Sequence, residues 1–372
     1  MRDTKRQVVR SYRRRQIARL IIWVAAIILI FVLAVCITAK VMINSGYRNL
    51  RQNATSTVPT MTEIDESTTD ADMDEDAEPE WQEGYIRYNG EVYAYNEDIL
   101  TFLIMGIDKK GEVKTNKNAT SGGQSDAIFL LAANPHNRTL NIYAVDRNTM
   151  TEINMVGAGP GGMDVTGEAQ IAIQHGFGDG KEGSCELTRD AVSRLLFDLP
   201  IHGYVSVNYS AIPTINDKVG GVKVPVTEDI AGQVSGWSVG DTVTLKGKEA
   251  ITYVKWRDTS SFESARMRLY RQKEYLTNFV VAAKSAMKQD MTMPVKLYND
   301  IKSYVVTDMS VDEIAYLGTE LMSYSFNADN ISTMPGETIM GEEFEEFYPD
   351  MDKVKAQIIE IFYEKVDVGE ED

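Results

Sequence analysis

Three polar residues bracket the first apolar runs of the folded part of the chain. Asp108 follows ILTFLIMG (99–106), Asp126 opens DAIFLLAAN (126–134) and Arg147 follows TLNIYAVD (139–146). Two carboxylates with no adjacent His or Cys suit a hard cation that keeps part of its water shell, Mg2+ or else Mn2+. Far downstream, YVKWRDTSSFESARMRLYRQK (253–273) carries six cations, Lys255, Arg257, Arg266, Arg268, Arg271 and Lys273, against two acids, Asp258 and Glu263. Planar guanidinium groups bind phosphate oxygens in a bidentate manner. On a helix starting at Ser264, Arg268 and Gln272 are four apart and share a face, with Arg271 adjacent. Lys255 and Arg257 alternate on an extended segment and point the same way. Carboxylates with a metal, joined by several cations, are equipment for binding and cleaving a pyrophosphate. Two plainer readings stand beside this one. Asp at strand ends caps turns, and a cation run also forms a solvated face.

The elements decide whether these residues meet. If the three apolar runs pair as an antiparallel meander, the end of the first, the start of the second and the end of the third share one sheet edge, and Asp108, Asp126 and Arg147 share it with them. The polar, Gly- and Asn-containing stretch KKGEVKTNKNATSGGQS between the aspartates is the kind of long loop that is functional or disordered. Apolar spacing predicts helices over 185–199 and 264–287, and two more within 310–324 and 351–365. Residues 201–211 read as a strand. Residues 212–226 read as a short helix, a Gly-Gly turn and a strand, and 249–257 as a strand or a helix start ending in one. The mixture predicts an α/β fold, a mixed central sheet flanked by helices in an αβα sandwich. GAGPGG (157–162) fits a dinucleotide fingerprint only literally, since Pro160 sits inside it and no helix start follows; it reads as a surface loop. His136, His175 and His202 lack metal-ligand spacing, and His175 is open to a structural or an acid–base role.

Charge and hydropathy place the domain. Residues 1–19 hold eight cations and one acid, and Leu20–Ala39 is an apolar run long enough to span a bilayer. With the cations on its N-terminal flank, 20–40 is expected to be an uncleaved membrane anchor, leaving 1–19 in the cytoplasm and the body outside the cell membrane. Residues 41–372 hold 29 cations and 54 acids, a charge of −25, which disfavours nucleic acid as a partner. Eleven acids fall between Glu63 and Glu83, so 41–84 is expected to be a stalk and flexible acidic spacer. Cys185 is the one cysteine beyond the anchor, which leaves no intramolecular disulfide there. The acidic GEEFEEFYPDMD (341–352) is expected to be exposed, and 289–372 to pack on or complete a domain spanning 85–288.

LIMGIDKKG, GGQSDAIFLLAANP, LNIYAVDRNTM, AIQHGFGDG, LPIHGYVSVNYSAIPTINDKVGGVKVPV and ITYVKWRD…RMRLYRQ, in that order over roughly 97–288, resemble the LytR-CpsA-Psr family of cell-wall enzymes. The resemblance implies a Mg2+-dependent phosphotransferase that moves a glycopolymer from a polyprenyl-pyrophosphate carrier to a peptidoglycan acceptor, with the lipid tail in an apolar pocket between sheet and helices. By the same resemblance Asp108 and Asp126 are the metal carboxylates, while Arg147, Lys255, Arg257, Arg268, Arg271 and Gln272 serve the pyrophosphate. Asp108, Asp126, Arg147 and Arg257 would carry the chemistry. This chain departs from the family pattern at four places. Gln124 and Lys255 stand where arginines are usual, Asn148 replaces an acid in the PRDT element, and Ala172 replaces the amide of the NAA element. The alternative is a protein that binds lipid pyrophosphate or regulates its use, or hydrolyses it, without glycan transfer.

Overall fold

The computed structural model describes residues 49, 50, 52, 54, 58–61, 81–116 and 121–366. The expected anchor (20–40), the basic tail and most of the acidic spacer lie outside them. Among the described residues no helix is long and apolar enough to cross a membrane.

In chain order the strands are β1 (Tyr85–Tyr88), β2 (Glu91–Tyr95), β3 (Leu100–Ile107), β4 (Ser125–Asn134), β5 (Thr139–Val145), β6 (Met150–Met155), β7 (Val165–Gln170), β8 (Gly203–Asn208), β9 (Lys223–Pro225), β10 (Thr242–Thr244), β11 (Val305–Thr307), β12 (Ile331–Thr333), β13 (Gly336–Met340), β14 (Glu345–Pro349) and β15 (Tyr363–Lys365). The helices are α1 (Glu182–Leu195), α2 (Ile212–Lys218), α3 (Lys248–Lys255), α4 (Ser264–Gln289), α5 (Met293–Ile301), α6 (Val311–Glu320) and α7 (Met351–Phe362).

Six strands form the central sheet in the order β11-β8-β3-β4-β5-β12. β3, β4 and β5 are the antiparallel meander expected from the sequence, while β8 joins β3, and β12 joins β5, in parallel. Side chains alternate cleanly across this sheet, as a period of two requires. Leu103, Met105, Ile128, Leu130, Tyr143 and Val145 point to one face, where Val192 of α1 and Val354, Ile358 and Phe362 of α7 cover them. Ile104, Phe129, Leu131, Ile142 and Ala144 point to the other, beneath Leu269 and Leu276 of α4. The fully buried Leu, Ile, Val and Met side chains among them each stabilise the fold by roughly 1.5–3 kcal/mol. The result is a mixed sheet with helices on both faces.

The unit does not end at residue 288. β11 and β12 supply both edges of the sheet, and β15 pairs with β2. The expected free spacer is also tied down within its middle. Met61 is buried in the main core and the Thr60 N–H donates to Phe197 O at 2.7 Å. GAGPGG forms the exposed turn between β6 and β7, with Gly157, Gly161 and Gly162 at positive φ.

Candidate active site

A backbone irregularity aims the first carboxylate. Gly106 pairs with Ala127, yet Ile107 pairs with Ser125, so Asp126 is the extra residue of a β-bulge. In a regular strand Asp126 would share the face of Ile128 and Leu130, against α1 and α7. The bulge turns it to the opposite face, toward α4. There its Oδ1 lies 3.1 Å from Arg147 Nε and its Oδ2 accepts from Arg268 Nη1 at 3.0 Å. Arg147 Nη2 also donates to Gln124 Oε1. Asp108 sits at the same edge, where its Oδ1 accepts the Gln124 N–H at 2.7 Å.

The loop before Asp126 is held by close approach. Gly123 has φ +89, and a Cβ there would fall 2.8 Å from Ile107 Cγ2 and 3.0 Å from Asp108 Oδ1. A Cβ on Gly122 would fall 2.5 Å from His175 O. The buried His175 ring places Nδ1 3.1 Å from Gly122 O and 3.3 Å from Gly123 O. Burial pushes its pKa down, so the neutral ring donates a hydrogen bond to the loop carbonyls. The role of His175 is therefore structural: it anchors the loop that carries Gln124 and Asp126.

Two voids meet at this ion cluster. One, of about 260 Å³, lies between the sheet and helices α2, α3 and α4. It exists because small residues line the sheet there: Val207, Gly106 and Ala127 are neighbours across three strands on the α4 face. Ile212, Ile215, Leu276 and Phe279 make its walls apolar, and Asp108, Asp126, Lys255, Arg268 and Gln272 edge it. The other, about 680 Å³, is a polar cleft with Gln124, Arg147, Asn148 and Arg257 on one side and the β13–β14 turn on the other.

Cations surround the junction. Arg268 is 4% exposed, and burial pulls its guanidinium down to about 10, with Asp126 opposing that fall and the nearby Arg147 and Arg257 deepening it. Its Nε and Nη2 are buried and have no hydrogen-bond partner, and neither has Gln272 Oε1. Gln272 Nε2 donates to Val254 O at 3.0 Å. Asp146, one residue before Arg147, is pushed up by burial against a hydrogen bond from the Asn148 N–H.

Three expectations change here. Arg271 does not face the site: its Nε donates to Asp229 at 2.6 Å, and its terminal nitrogens donate to Tyr253 O and Trp256 O. It caps the carbonyl end of α3, where a cation is favoured, because Asp229 and the Tyr253 and Trp256 carbonyls draw it away from Arg268. Lys255 and Arg257 do not share an extended face. Lys255 ends α3 with its ammonium 3.6 Å from the Tyr209 ring centroid and edges the apolar void, whereas Arg257 lines the polar cleft. The 341–352 stretch is more than an exposed acidic run. Phe347 is buried, and the Glu345 side chain accepts the Glu263 N–H at 2.6 Å, holding the entry to α4, where Glu263 has φ +59. The turn residues Gly341–Phe344 and the strands beside them form a wall of the cleft that sequence reasoning missed.

The model of the LytR_cpsA_psr family matches residues 56–360, most of the chain. This protein belongs to the LytR_cpsA_psr family. A polyisoprenyl-teichoic acid–peptidoglycan teichoic acid transferase TagU of Bacillus licheniformis is 27% identical over 221 residues, 59% of this chain and 63% of that relative. The TagU of Bacillus cereus is 25% identical over 66% of this chain and 72% of its own length. The chain thus spans less than two thirds of the Bacillus licheniformis relative. A solved structure of TagT bound to LI-WTA has the same fold, with a TM-score of 0.53 at 20% identity over 71% of this chain and 90% of that one. Bacillus subtilis TagV is equally similar, at 0.53 and 22% over 70% and 96%. Against the family pattern, Ala172 is fully buried and its N–H donates to Arg147 O at 3.1 Å, so the backbone at this position still supports the arginine that the missing amide would have neighboured.

Proposed function

We propose that this chain is a phosphotransferase that moves a glycan with its phosphate from a polyprenyl-pyrophosphate carrier to peptidoglycan, anchored by residues 20–40 with the domain outside the membrane. One observation carries the reading. An apolar void ends on buried arginine donors that have no partner, and a polar cleft opens on the far side of them. A lipid chain, a pyrophosphate and a sugar need these three environments in this order. A buried N–H left unmatched costs about 1–3 kcal/mol, a cost an anionic ligand at Arg268 would remove.

Asp108 and Asp126 would hold a Mg2+ or Mn2+ ion, with Asp126 turning an oxygen from its arginine partners toward it. They are hard oxygen donors at the mouth of one void, and Mg2+ is commonly held by one or two carboxylates plus phosphates. The described residues hold no cluster of three or more His, Cys, Asp and Glu side chains around a metal position. Such an ion would neutralise charge on the phosphates. The protein's own residues do the rest. Arg147, Arg257 and Arg268 fix the pyrophosphate, and Lys255 and Gln272 border the lipid side. An acceptor sugar hydroxyl in the cleft attacks the phosphorus that bears the glycan. A new P–O bond forms, the bridging P–O bond breaks, and lipid phosphate leaves, taking up the proton that the hydroxyl loses.

The test incubates the purified full chain with a polyprenyl-pyrophosphate oligosaccharide and peptidoglycan. The expected products are lipid monophosphate and peptidoglycan carrying the phospho-glycan. Lipid monophosphate with a free sugar phosphate would instead make the protein a pyrophosphatase. Tight lipid binding with no cleavage would make it a carrier or regulatory protein.

A further inference from the structure

Two points of the segment between the expected anchor and the domain are fastened to the domain. Leu50 is fully buried, packed on Leu100 and Phe102 of β3 and on Tyr316 and Leu317 of α6. Further along, Pro59 and Met61 are buried, Met61 in the main core, and Val58 packs against the same core. Between them Thr60 donates its N–H to Phe197 O at 2.7 Å and its hydroxyl to the Asp198 carboxylate. Phe197 and Asp198 have φ of +61 and +54. Residues with a Cβ hold that left-handed conformation only where the surrounding contacts enforce it, and Thr60 supplies two of those contacts.

Both docking points lie at one end of the central sheet. The loop that receives Thr60 leads into β8, where the His202 N–H donates to Thr101 O at 2.9 Å and Gly203 pairs with Phe102. Leu50 covers the same stretch of β3 on the α4 face. Eight residue steps, at most about 28 Å of chain, carry the segment around this end from 50 to 58. Asp108 lies eight residues beyond Leu100, about 26 Å further along the direction of β3. On the α4 face the order is therefore Leu50, then the apolar void at Ile104 and Gly106, then the ion cluster. The expected anchor ends ten residues before Leu50, a reach of at most about 35 Å. We infer that Leu50 and residues 58–61 are a strap that turns the β3-start end of the domain toward the outer face of the lipid bilayer and the phosphate site away from it. The inference rests on the anchor in the reading above. It orders the reaction in space: the lipid chain rises from the bilayer along the α4 face, and the acceptor arrives from the far side.

Two labels and two insertions decide it. The full chain carries Cys36→Ser, and Cys185 is fully buried. It is reconstituted in phosphatidylglycerol–phosphatidylethanolamine vesicles in which part of the head groups bear a nitroxide quencher. A fluorophore is attached through Val311→Cys, exposed at the start of α6, or through Phe344→Cys, exposed at the cleft. The label at 311 is expected to lose most of its fluorescence and the label at 344 to keep it. An insertion of about twenty Gly and Ser residues between Asn44 and Ser45 adds about 25 Å of slack ahead of the strap and is expected to abolish the difference. The same insertion between Asp70 and Ala71, beyond the strap, is expected to leave the difference intact. Neither insertion touches the folded core. Equal quenching of the two labels in the parent chain, or two insertions that act alike, overturns the inference and leaves the anchor standing. Failure of the full chain to float with the vesicles overturns the anchor and the inference together and leaves the phosphotransferase chemistry untouched.

Discussion

Asp126 and Arg268 form a pair whose two halves should respond oppositely to removal. Arg268 is 4% exposed and its guanidinium is pulled down to about 10 even with Asp126 at 3.0 Å. Burial therefore exceeds the attraction by something on the order of 3 kcal/mol for the charged form. Arg268→Met removes that cost along with two unpartnered donors, and Asp126 keeps Arg147 at 3.1 Å. The expected change in stability is within about 1 kcal/mol of zero, as for other buried ions replaced by apolar side chains. Asp126→Asn leaves two buried arginines without their anion. Truncating one partner of a buried pair costs about 3–5 kcal/mol; the 19% exposure of Asp126 places it near ~3 kcal/mol. In the Arg268→Met background the same substitution strands only Arg147 and should cost ~1 kcal/mol, a coupling of about 2 kcal/mol. Urea denaturation of the four proteins measures this directly. A loss above 3 kcal/mol for Arg268→Met, or equal costs of Asp126→Asn in both backgrounds, would refute the reasoning. If it holds, Arg268 is retained at a cost to the fold, and Arg268→Met should lose lipid-pyrophosphate binding while folding normally.

Four further outcomes follow from the same geometry. Arg257→Ala should change stability by less than about 0.5 kcal/mol, because no described residue pairs with it, yet it should weaken pyrophosphate binding. Arg271→Met should do the reverse, costing ~3 kcal/mol by stranding Asp229 and uncapping α3, with any loss of binding tracking loss of fold in the same titration. Tyr275→Phe removes a buried hydroxyl that has no partner in the wall of the apolar void, and should raise stability by ~1 kcal/mol in urea denaturation; a loss would show that the hydroxyl is satisfied. For His175, burial holds the folded pKa below its ordinary value near 6.5. The unfolded chain takes up its proton first as pH falls. The stability from the neutral ring is thus complete above about pH 6.5 and lost as pH falls through the lower folded value. His175→Gln should flatten that acid-side loss, and identical slopes for the two proteins between pH 7 and pH 5 would reject the assignment.

How far the sequence could be read depends on the range of the interaction concerned. The convergence of Asp108, Asp126 and Arg147 was legible, because a meander of three apolar runs leaves few ways to arrange their ends. The bulge that makes Asp126 useful was not, since it depends on Gly123 fitting between Ile107 and Asp108, a contact across two strands. On α4 the sequence placed Arg268 and Gln272 on one face correctly. It could not separate Arg271 from them, because Arg271 is adjacent and its partners, Asp229 and the end of α3, come from segments whose placement is set by tertiary packing. The edge strands β11 and β12 are three residues each, too short to show any period. The β13–β14 wall was legible only in part: Glu342 and Glu343 are exposed as their charge suggests, whereas Phe347 is buried and Glu345 holds the Glu263 N–H. A charge pattern by itself does not report what it faces. The same reasoning explains the basic stretch at 253–273. Its cations divide among a helix cap, a cation–π contact, an anion site and surface packing, and the residue that matters most to the proposed chemistry, Arg268, is the one the fold hides most completely from water among the three cations at the anion site.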